Sequence, residues 1–363
     1  MSCLNRCSRF MPGVPRVIIL FASIVLIASA CDGGASPPIP PTIGSTPEEG
    51  ITPATTPTDN AIGEPVRATL PVSGTPVGEV PIRSLPVVPR IDAALKSRLR
   101  GILEEGKRKG NRPNVFAKIG DSITESGSFL QGIGCKDEAL GDYGSLAPTI
   151  EYFRSVVFPP DYGRIWCGDI DSFSRASVSA VAGWSADQAL QPLDPPVEGC
   201  PASYDTPLAC ELHLLKPSVA LIMYGTNDLQ RFNDLDAFYA NLTRIVQQTV
   251  GAGVIPILST IPTRKDDAGL GQRVEPHNRV IVRVANEQQI PLWNYWLALQ
   301  GANMVNGGLD VDGVHPNVYN CPPCEADVFM AEGLRYGYNQ RNLTAIQALD
   351  KVKRVVIDDG PAD

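Results

Sequence analysis

Two short stretches of this chain carry residue types suited to acid–base chemistry: 120-GDSITE-125 and 312-DGVH-315. A serine hydroxyl is a weak nucleophile until a base takes its proton, and an imidazole serves as that base when a carboxylate fixes its tautomer. The chain has three histidines. His213, in the apolar run CELHLL, reads as a core or surface residue. His277, between Pro276 and Asn278, reads as an exposed or capping residue. His315 differs because Asp312 stands three residues before it in a Gly- and Pro-bounded turn. That spacing lets the carboxylate accept from one ring nitrogen while the other faces outward. Ser122 has a structural reading as well: it could cap the helix that follows, completing a capping box with Glu125. The two readings are compatible, since a helix N-terminus also favours developing negative charge.

The elements that would position these groups alternate between strand and helix, the pattern of a parallel sheet. Strands are expected at 115–120, 174–182, 218–224, 254–260 and 290–295. Helices are expected at 91–109, 235–250, 276–288 and 327–348. Segments 128–172 and 187–212 suit neither pattern and read as long surface loops. Ser122, Gly183 and Asn227 each follow the end of one of the first three strands. Open α/β sheets bind their ligands at the carboxyl ends of their strands.

Taken in order, 120-GDSIT-124, Gly183, 225-GTND-228 and 312-DGVHP-316 resemble the four sequence blocks of the GDSL/SGNH hydrolase family, over residues 115–320. The resemblance implies a three-layer α/β/α fold around a flavodoxin-like, five-stranded parallel sheet in the order 2-1-3-4-5. Strands 1 and 3 are then neighbours, so Ser122 and Asn227 face one crevice. It further implies a serine esterase that cleaves carboxylic esters through an acyl-enzyme. Ser122 would be the nucleophile, His315 the general base and then acid, and Asp312 its orienting carboxylate. The oxyanion would be held by the backbone N–H groups of Ser122 and Gly183 and the amide of Asn227, with Gly183 bare so that its N–H can approach. Asp121 and Asp228 would brace loops, and no metal or cofactor is required. The chain departs from the family in its long cysteine-bearing span between the first two blocks. It also departs in 321-CPPC-324 after the histidine, and in Asn294 where relatives often carry an acid. The same residues could serve an acyltransferase with a sugar hydroxyl as acceptor. A non-catalytic binding lipoprotein is the remaining alternative.

The rest of the chain speaks to location. Residues 1–31 combine Arg6, Arg9 and Arg16 with an apolar run from Val17 to Ala30 that suits a signal peptide. Cys31 after Ala28-Ser29-Ala30 resembles a bacterial lipoprotein signal, with Cys31 lipidated and the protein held at the cell-surface membrane; plain secretion is the alternative. Residues 32–90 contain 13 prolines in 59 residues and read as a disordered tether, with a reach of about 40 Å. The catalytic domain is then expected over 91–363. A net charge of −8 without a basic cluster argues against nucleic acid. The tether favours a polymeric extracellular target, so the expected substrate is a small-molecule or polysaccharide ester. Six cysteines remain beyond residue 31. Proximity suggests Cys135 with Cys167, Cys200 with Cys210, and Cys321 with Cys324.

Overall fold

The computed structural model describes residues 81–159, 168–231, 234–322 and 324–363. The signal-like segment, Cys31 and nearly all of the proline-rich stretch lie outside the described residues. Helix α1, Ala93–Arg108, is capped by the Asp92 side chain, which accepts from Leu95 N–H. It buries Leu99, Ile102 and Leu103. Residues 81–90, expected to belong to the tether, are part of the folded unit. Ile82 is buried, and Asn294 Nδ2 donates to the carbonyls of Ile82 (2.8 Å) and Leu85 (3.2 Å).

Strands β1 (Arg112–Gly120), β2 (Pro217–Met223), β3 (Ile255–Ser259) and β4 (Leu292–Trp293) form one parallel sheet in the order β1-β2-β3-β4. The apolar runs that build β1 and β2 are continuous rather than alternating, as a sheet covered on both faces requires. Every residue of β2 is buried. The pairing Gly120↔Met223 and Ile222↔Leu258 brings the carboxyl ends of the strands to one edge.

Among the described residues the sheet has four strands, not the expected five. Residues 174–182 contribute a single parallel bridge, Gly120↔Ala180, on the free side of β1. The place of the missing strand is therefore the expected one, but its ladder is not formed. Side chains satisfy the backbone there instead. Asp171 accepts from the N–H groups of Phe173 and Ser174, Ser177 Oγ from Ser179, and Glu211 from Val178. Such local bonds from polar side chains compete with strand pairing.

The helical layers hold α2 (Ser122–Glu125), α3 (Ala147–Arg154), α4 (Pro207–Leu215), α5 (Leu235–Gly251), α6 (Ala268–Gln288) and α7 (Gly337–Val352). Two expected loops are thus partly helical and partly core. Phe129, Leu130, Ile150 and Phe153 are buried, and Phe153 meets Phe116 of β1 edge to face at 5.5 Å. Their apolar residues are spaced too briefly to show a helical period, and the burial comes from the sheet behind them. Helix α6 begins eight residues before its expected start and carries Pro276 internally. His277 consequently lies buried in mid-helix rather than at an exposed end. Cys200–Cys210 and Cys321–Cys324 are disulfides; Cys167 lies outside the described residues.

Candidate active site

Strand β1 runs straight into the turn that presents Ser122. A Cβ on Gly120 would collide with the Thr124 side chain and the Met223 carbonyl, so only glycine lets the chain leave the sheet so tightly. The cap of α2 is Asp121, not Ser122: Asp121 Oδ1 accepts from Ile123 N–H at 3.0 Å. The serine hydroxyl is thereby left for another partner. Ser122 Oγ lies 2.8 Å from His315 Nε2, and His315 Nδ1 lies 2.5 Å from Asp312 Oδ2. With the ring proton donated from Nδ1 to the carboxylate, Nε2 is the acceptor facing the hydroxyl.

The imidazole is positioned by its own loop. Asp312 Oδ1 accepts from the N–H groups of Val314 (2.9 Å) and His315 (3.0 Å), and Asp310 N–H donates to His315 C=O (2.8 Å). Partial burial pushes the Asp312 carboxyl up, but the bonds from the His315 ring and these N–H groups outweigh it and hold it below the ordinary range. The other two histidines are elsewhere. His213 stacks on Tyr204 at 4.1 Å. His277 packs near Phe238 with Nδ1 at 2.9 Å from Arg273 C=O, and burial lowers its basicity.

Asn227 follows β2. Its Nδ2 donates one N–H to Trp184 C=O at 2.9 Å, which fixes the amide and leaves the second N–H available. Gly183 stands in the exposed turn before Trp184 with φ +78°. No atom lies within 4 Å of where its Cβ would be, so conformation rather than space requires glycine here. Neither the Ser122 N–H nor the Gly183 N–H has an acceptor among the described residues.

Two carboxylates brace these loops, as expected. Asp121 is fully buried, and desolvation pushes its pKa up to about 6 against the pull of Ile123 N–H and Arg341. Asp228 accepts from Ala186 N–H, and burial raises it to about 7. Arg341, on α7, escaped the sequence reading. It is buried, donates to Ile123 C=O (2.5 Å) and Thr124 Oγ1 (2.9 Å), and lies 3.7 Å over the Phe129 ring. It thus satisfies a carbonyl that the one-turn α2 cannot satisfy itself. Its signal in the sequence is a lone cation in line with Tyr338, Ala345 and Leu349 on one helix face. A separate cavity of ≈ 90 Å³ lies behind α2, lined by Lys118, Glu125, Gln131 and Arg175. It includes neither Ser122 nor His315. Among the described residues no three His, Cys, Asp or Glu side chains are grouped to hold a metal.

A parallel-sheet protein with a hydroxyl, an imidazole and a carboxylate in line at its strand ends has the parts of a hydrolytic enzyme. Residues 119–319, more than half of the chain, match the GDSL-like lipase/acylhydrolase family. The chain belongs to that family and is an ester-bond hydrolase of the esterase/lipase type. Among solved structures it is similar to a GDSL-like lipase from Bacteroides thetaiotaomicron, at 15% identity over 70% of this chain and 99% of that one, with a TM-score of 0.39. It is also similar to a carbohydrate esterase family 3 protein from Talaromyces cellulolyticus (21%, 65% and 98%, TM-score 0.42). A third is the lipase/acylhydrolase from Enterococcus faecalis (17%, 66% and 94%, TM-score 0.38). No curated protein sequence matches the chain significantly.

Proposed function

We propose that the protein cleaves carboxylic esters by acyl transfer to Ser122, and that the unbroken line Ser122–His315–Asp312, at 2.8 and 2.5 Å, carries the chemistry. Ser122 Oγ attacks the ester carbonyl carbon as its proton passes to His315 Nε2. The imidazolium so formed is stabilised by Asp312. The tetrahedral oxyanion sits among the N–H groups of Ser122 and Gly183 and the free N–H of Asn227 Nδ2. Collapse breaks the bond to the alcohol, which leaves with the proton from His315. Water then attacks the acyl-enzyme with His315 again as base, releasing the acid and restoring Ser122.

The proposed natural substrate is a short acyl ester of an extracellular carbohydrate. The signal-like start and the proline-rich stretch support it, since a tethered surface enzyme acts on polymers within reach. Hydrolysis of p-nitrophenyl esters from acetate to palmitate, by the full chain beside Ser122→Ala, tests the reaction. Cleavage of the short esters by the parent alone supports it, and equal inertness of two folded proteins refutes it. The proposed lipid anchor on Cys31 is tested separately by incorporation of labelled palmitate. Label retained in Cys31→Ser refutes the anchor without touching the chemistry.

A further inference from the structure

We infer that Glu125 is a positioning residue for the oxyanion side of the site, tying the Ala182–Gly183 turn to the helix that carries Ser122. The inference rests on the ester-hydrolase reading and deepens it. Glu125 was expected to close a capping box on Ser122, but it turns outward: its Oε2 accepts from Ala182 N–H at 2.8 Å. The spacing makes this possible, because residues three apart on a helix share a face.

Trp184 seats one end of the turn 181–184 by packing, partly buried, against the core, and hydrogen bonds hold the rest. Trp184 N–H closes it onto Val181 C=O at 3.2 Å, with Gly183 at the left-handed position. Ala182 and Gly183 are exposed, and the space beside Gly183 is empty. Packing therefore does not fix the Gly183 N–H; hydrogen bonds do. Three bonds tie the turn to its surroundings: Val181 N–H to Gly120 C=O (3.2 Å), Ala182 N–H to Glu125, and Trp184 C=O to Asn227 Nδ2 (2.9 Å). The first comes from the end of β1 and the third from Asn227 itself. Glu125 supplies the second, and it is the tie that couples the turn to the nucleophile's own helix. With the N–H groups of Val181 and Ala182 both held, two successive peptide planes are set, and the next carries the Gly183 N–H. The ≈ 90 Å³ cavity behind Glu125 is bounded also by Ala180 and Val181, so a released turn has space to move into.

The experiment compares the full chain with Glu125→Ala and Glu125→Gln for kcat and KM on p-nitrophenyl acetate, and for amide hydrogen exchange of the peptide covering 181–184. Glu125→Ala should lower kcat by about 10- to 100-fold, a part of the loss expected when an oxyanion donor is removed outright, with KM changed less than about threefold. Exchange in the turn should quicken. Glu125→Gln, whose amide oxygen can accept from the same N–H, should restore both. A kcat unaltered in Glu125→Ala, a loss carried by KM, or a glutamine variant as poor as alanine would overturn the inference. If the parent chain cleaves no ester, the esterase reading fails by itself, and exchange in the two variants still decides whether Glu125 holds the turn.

Discussion

The two sides of the active site are built by different means. Ser122 stands on one turn of helix at the end of a nine-residue strand, and what secures it comes from far along the chain. Arg341 bonds Ile123 C=O and Thr124, Glu125 reaches Ala182, and Asn227 reaches Trp184. His315 stands on an irregular loop whose bonds are mostly made within residues 306–316, with Lys265 of a neighbouring loop also donating to the carbonyls of Gly313 and Asn306, both at 2.8 Å. The serine side is tertiary, with Asp121, Ile123 and Thr124 buried around the half-buried Ser122. The histidine side is local and wet, with the Asp312 side chain 45% exposed. A base built mostly on its own loop is expected to tolerate distant changes better than a nucleophile held by remote side chains.

The strongest challenge to this contrast is removal of the shared hydroxyl. Ser122→Ala should cost about 10⁴-fold or more in kcat on any ester the parent cleaves, with folding intact. Substantial residual activity would mean the line of groups is not the reacting one. Next in size is a change on the serine side that never touches the site. Arg175 bonds Glu211 twice, at 2.6 and 2.8 Å, with both side chains buried, and the pair anchors the segment leading to Gly183. Glu211→Ala leaves that guanidinium uncompensated and should lower unfolding stability by about 3–5 kcal/mol. Denaturant titration measures it, and a loss below about 1 kcal/mol would contradict the tertiary account. Asn227→Ala should reduce kcat by about 10²–10³-fold through loss of an oxyanion donor.

On the histidine side, Asp312→Asn should cost less than an enclosed carboxylate would, about 10²-fold, because water screens an exposed charge. Its thermal midpoint should stay near that of the parent. A far larger loss would show that Asp312 becomes enclosed when substrate binds. A test away from the reacting groups concerns Lys118, which is buried on β1 and donates to Phe173 C=O at 2.7 Å. Burial, aided by Arg175, lowers it from the ordinary 10.5 to about 7. Between those values the unfolded chain holds a proton that the folded protein lacks. Stability should therefore rise as pH rises from 7 towards 10, by at most about 1.4 kcal/mol per unit. Lys118→Met should flatten that slope in urea melts taken across the range, and an unchanged slope would assign it to other groups.

What could be read in the sequence follows the same division. Asp312 and His315 were legible because two residues three apart in one loop make the whole contact. Strands β1, β2 and β3 were legible from continuous apolar runs between Gly and Pro. The segment 174–182 resembles a strand through its alternation with serine, until Asp171, Ser177 and Glu211 are seen to accept from the N–H groups of Ser174, Ser179 and Val178. Asp121 displaced Ser122 as the cap because both residue types serve, and only the fold shows which hydroxyl His315 claims.

By itself, then, the sequence determined the residue types at the strand ends, their order, and the turn that couples Asp312 to His315, since each depends on neighbours a few positions apart. Tertiary structure alone decided that Ser122 Oγ meets an imidazole 193 residues later, that Arg341 backs α2, and that Glu125 holds the Gly183 turn. Those contacts join distant segments, and no local spacing encodes which partner the packed sheet will bring to a buried hydrogen-bonding group.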